Sequence, residues 1–121
     1  MPSAREDYLI RIIQQVGEVL RRLRQRLTGQ VDPSDAAEID GQAAVAITML
    51  LGPQGPLLQQ LDAASAVRLI GDADRAALWI ALLRVQADAR RADSQRRDDS
   101  ADKLAARAAA LEAAVAQLTR V

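Results

Sequence analysis

The sequence has no cysteine, no histidine and no phenylalanine, and Tyr8 and Trp79 are its only aromatic residues. Without Cys there is no disulfide framework, thiol nucleophile, Cys-ligated zinc or iron–sulfur cluster, and cysteine usage leaves the redox compartment unread. Without His there is no Ser/His/Asp triad and no imidazole metal ligand. A di-iron helical bundle is excluded too, because it needs paired Glu-x-x-His motifs and the glutamates are only Glu6, Glu18, Glu38 and Glu112. Neither a Walker loop nor a Gly-x-Gly-x-x-Gly turn is present, so no cofactor is expected. An excess of one charge is also missing. The 16 basic residues balance 16 acidic ones, which removes the net positive potential that drives phosphate binding and leaves only local patches.

Helix formers fill the space. Ala occurs 25 times, Leu 16 and Arg 15, whereas the β-branched and aromatic residues that strands favour are few. At 121 residues the chain is long enough for one core and too short for two, so residues 1–121 are expected to form a single-domain, all-α bundle of four to five helices.

The first helix is expected over about 5–28, with Leu9, Ile13, Val16, Leu20, Leu23 and Leu27 at spacings of four and three and Gly29 as the stop. Its apolar stripe is broad enough to touch more than one neighbour. Asp32-Pro33 pairs a capping carboxylate with a first-turn proline and opens a helix over 33–51, which Gly52-Pro53 ends. Two short pieces follow over 57–70, divided at Asp62 and stopped by Gly71. A long helix over 73–95 begins apolar nearly all round, from Ala76 to Leu83, so its first half is expected at the centre. From Arg84 it becomes charged and is expected to run out toward solvent. A last helix over 100–119 carries Leu104, Leu111, Val115 and Leu118 among alanines, which suits a close antiparallel hairpin with its predecessor.

Twenty-one residues between Asp40 and Asp62 carry no charge, about a bilayer's span, but Gly52-Pro53-Gln54-Gly55-Pro56 breaks the run and Gln42, Thr48, Gln59 and Gln60 dilute it. Two buried helices around a turn explain it better than a membrane segment. The apolar run near the N-terminus is interrupted at Arg11, unlike a secretory signal core, so a cytoplasmic address is expected.

The opening Glu6-Asp7-Tyr8-Leu9-Ile10-Arg11-Ile12-Ile13-Gln14-Gln15 resembles the start of a group of small bacterial proteins of unknown function. Their shared pattern is Asp-Tyr-Leu, an apolar residue, Arg, two apolar residues and Gln. Their tails are similar to tetratricopeptide helical hairpins, a layout that Leu61 to Leu118 shares, although most tetratricopeptide aromatic positions are Ala here. The resemblance implies a tetratricopeptide-like hairpin at the C-terminal end and no activity.

Arg21, Arg22, Arg24 and Arg26 suit the negative end of a helix dipole and a solvated face better than a phosphate site. Asp98, Asp99 and Asp102 suit helix capping better than a cation site, since the EF-hand glycine and closing glutamate are absent. Trp79, flanked by apolar residues, is expected in the core, and Tyr8 lies at the margin of its helix's stripe. Gly17 and Gly41, inside helices, are expected where helices cross closely.

Half the residues are apolar, more than one small interior readily covers. The leading expectation is therefore a non-enzymatic protein-interaction module whose partner is most simply a second copy, a homodimer. The contact is expected through Tyr8, Leu9, Val16, Leu20, Leu23 and Leu27 or through Leu104, Leu111, Val115 and Leu118. The alternative is a nucleic-acid accessory protein using the Arg-rich end of the first helix, though no strong nucleic-acid signal is present. Neither a membrane nor a small-molecule partner has a positive signal.

Overall fold

The computed structural model describes residues 4–119, and among them there are helices and no strand. The helices are α1 (Ala4–Leu27), α2 (Pro33–Leu51), α3 (Gly55–Gln60), α4 (Ala63–Ile70), α5 (Ala73–Ala92) and α6 (Ser100–Thr119), with a 3-10 turn at Gly52–Gln54. The fold is an all-α bundle.

Its boundaries follow from capping chemistry. The carboxylate of Asp32 accepts from Asp35 N at 2.8 Å, that of Asp62 from Ser65 N at 3.1 Å, and that of Asp72 from Asp74 N and Arg75 N at 2.9 and 3.0 Å. Each bond satisfies a donor that a helix start leaves open. Gly71 closes α4 in the left-handed conformation, at φ 67°, where a side chain would be strained. The C-terminus of α2 is closed from outside. Arg75 Nη2 donates to Leu50 O at 2.7 Å and to Leu51 O at 3.3 Å, tying the last carbonyls of α2 to the start of α5.

α5 is the axis of the bundle and packs against α1, α2, α4 and α6. The expected hairpin of α5 and α6 is present and antiparallel: Arg84 meets Glu112 at one level and Arg91 meets Asp102 at another. Trp79 is 2% exposed, as expected for a core residue, with Leu82 and Leu111 sealed nearby in the same core. The broad stripe of α1 serves two neighbours, α2 and α5.

Two expectations are corrected. The charged second half of α5 does not leave the core, because Val85, Gln86, Ala87 and Ala89 are buried, and the helix ends at Ala92 rather than near 95. Only Arg84, Asp88, Arg91 and Ala92 reach solvent fully, a narrow outer edge on a covered helix. Gly17 and Gly41 do not mark close crossings either: a Cβ at either position would meet nothing within 4 Å.

Candidate functional site

The residues expected to form a contact divide by depth. Val16, Leu20 and Leu23 are buried against the rest of the core, and Leu111 is sealed completely. They are withdrawn as contact residues, since the seams of α1 and α6 are used up in holding the bundle together. Leu9, Leu27, Leu104 and Val115 are half-buried. Tyr8 and Leu118 alone of the set stand well out, Tyr8 at 61% exposure.

A different surface is open. Between Gly41 and Leu61 the exposed residues include Gln42, Ala44, Val45, Thr48, Met49 and Leu57, and no exposed residue in that interval is charged. Val45 is 62% exposed and Met49, one turn on, 42%. The signal was in the sequence as the charge-free run between Asp40 and Asp62. The run does not form two wholly buried helices: α2 buries one face, through Ile39, Ala43, Ile47 and Leu50, and from Gly41 onward turns the other outward without charge.

Depressions flank α2 on both sides. Toward α1 lies a shallow groove of about 270 Å³, lined by Val16, Val19, Gly41, Val45, Ala46 and Met49. Toward α5 and α6 lies a cleft of about 470 Å³ where Ala44, Thr48, Gln59, Leu83, Gln86 and Arg107 surround one edge of Trp79. The Arg107 guanidinium sits 5.5 Å from the Trp79 ring centre and donates to Leu58 O at 3.0 Å. Burial pushes its pKa down from the ordinary value, yet a guanidinium stays charged at any physiological pH. It is a fixed cation stacked on an aromatic face, which holds the α3 segment to α6.

Many of the remaining charges are committed to one another. Asp40, 13% exposed in its side chain, accepts from Gln86 Nε2 at 3.1 Å and Arg90 Nε at 2.9 Å, with Arg96 at 3.8 Å. This cluster joins α2, α5 and the segment before α6. In the Arg-rich end of α1, Arg21 pairs with Glu18 at 2.8 Å and Arg26 with Glu38 at 3.2 Å. Arg21 thereby holds the Glu18 carboxyl below its usual range, as Arg84 does for Glu112.

The acidic trio caps and bridges. Asp98 accepts from the Ser100 hydroxyl and backbone N–H, which holds its carboxyl below the usual range, while Asp99 faces Lys103 at 3.5 Å and Asp102 faces Arg91 at 3.3 Å. Among the described residues no group of three or more carboxylates could hold a metal ion, and no helix is long and apolar enough to cross a membrane. Compared with protein-family models, curated proteins and solved structures, the chain matches none.

Proposed function

We propose that this chain is a non-enzymatic helical protein-interaction module whose simplest partner is a second copy of itself. One observation carries the reading: the outward face of α2 and the α3 turn expose Val45, Met49 and Leu57 with no charged residue among them. Charged side chains are what normally keep a helix face in water, and an apolar patch with a polar surround is the usual anatomy of a contact between proteins. The nucleic-acid alternative draws less support, because Arg21 and Arg26 are each neutralised by carboxylates of the same chain.

Sedimentation equilibrium across micromolar to millimolar protein tests it. The expected result is a concentration-dependent rise from monomer to dimer mass that Val45→Glu abolishes while leaving the helical circular dichroism unchanged. A wild-type chain that stays monomeric throughout that range would remove the self-association reading.

A further inference from the structure

The solvent face of α1 carries a charge pattern of which the fold ion-pairs only Glu18, with Arg21. Asp7, Arg11, Gln14, Glu18 and Arg22 follow at spacings of four, three, four and four, which places them on one exposed stripe of the helix. The spacing would suit acid–base pairs four apart within α1, Asp7 with Arg11 and Glu18 with Arg22. Neither forms. Glu18 turns to Arg21, and Asp7, Arg11 and Arg22 enter no ion pair among the described residues.

The order of signs along the stripe is minus, plus, minus, plus: the positions are symmetric about the point between Gln14 and Gln15 and the signs reverse across it. Rotating a second α1 by a half-turn about that point sets Asp7 opposite Arg22 and Arg11 opposite Glu18, twice over, with every facing pair opposite in sign. A two-fold contact must be self-complementary in this way.

The apolar surface agrees with the same axis. Arg26 lies beside Asp35 and Glu38, which fixes the antiparallel register of α1 and α2. Carrying that register along the helices brings the level of Gln14 and Gln15 midway between Val45 and Met49. Val19 and Met49 line the groove next to the stripe, and Gly41, without a side chain, leaves it open. The size also suffices. A helix of 24 residues is about 36 Å long, and two side by side are about 20 Å wide, a face of roughly 700 Å² against about 800 Å² per partner in a standard interface.

Resting on the proposed self-association, we infer that two copies pair through the outer face of α1 and α2, the α1 helices antiparallel about a two-fold axis at Gln14 and Gln15. The ion pairs Asp7–Arg22 and Arg11–Glu18 set the register, and Tyr8, Val19, Val45 and Met49 lose water beside them.

Two double variants test it. Asp7→Lys with Glu18→Lys makes the stripe wholly basic, and Arg11→Glu with Arg22→Glu makes it wholly acidic. Each alone should dimerise at least about a hundredfold more weakly than wild type, and a 1:1 mixture should form a heterodimer, resolved by mass in native mass spectrometry. All four positions involved are at the surface, and circular dichroism checks that each variant keeps its helices. As a measurement that leaves the charges alone, Gln14→Cys should oxidise to a covalent dimer because the axis brings the two thiols within bonding reach, whereas Gln117→Cys on α6 should not.

If wild type dimerises but both charge variants alone do so equally well, or their mixture gains nothing, this register is wrong and self-association through another face stands. A wild-type chain that never dimerises overturns both together.

Discussion

α5 and the first half of α1 are both rich in apolar residues, yet they end in opposite environments. α5 contacts four other helices and has buried residues all along Ala76 to Ala89, whereas α1 contacts two and buries nothing before Val16, leaving Tyr8 and Ile10 open. A helix is covered according to how many neighbours surround it, and its own polarity decides only which side turns inward. α5 therefore keeps even Gln86 and most of Arg90 inside, where Asp40 accepts a hydrogen bond from the first and neutralises the second.

The largest expected effect breaks the covered region. Trp79→Ala empties the largest of the fully buried side chains and should lower the unfolding free energy by about 3–5 kcal/mol, measured from the urea midpoint. Next comes the polar seam. Asp40→Ala strands Arg90 in a largely covered position and should cost about 1–3 kcal/mol, while Arg84→Ala, in an exposed pair with Glu112, should cost under about 1 kcal/mol. Equal losses at the two sites would mean that α5 is no better sealed at its charged end than along its edge. The smallest effect belongs to the open region. Gly41→Ala should raise the stability of the monomer by about 0.5–1 kcal/mol, since the helix gains propensity and the new methyl meets nothing. A drop instead would show that this face is already occupied.

Much of this contrast could be read from the residues alone. The caps at Asp32, Asp62 and Asp72 and the stop at Gly71 are local chemistry, so the ends of α2 and α4 and the start of α5 were legible, as was the burial of Trp79. The fate of the second half of α5 was not, because Arg90 is tolerated inside only by virtue of Asp40, fifty residues earlier in the chain. Val16, Leu20, Leu23 and Leu111, expected at a contact, lie in the core for a related reason. The strongest stripes, through Val16 and Leu20 and through Leu111, are strong because the monomer needs them. The surface proposed for a partner leaves a fainter trace, an absence of charge on exposed positions, and exposure is a property of the packed bundle.

Arg75 ties the last turn of α2 to a residue that follows it by about two dozen positions. The starts of α2, α4 and α5 are capped from within a few residues, so those turns can begin to form in isolation, whereas the carbonyls of Leu50 and Leu51 wait for the N-terminus of α5 to arrive. Folding is thereby given a sequence of events: α2 can wind from Asp32 onward early, but its far end becomes lasting only once the central helix has docked, and refolding of that end reports on assembly of the whole molecule.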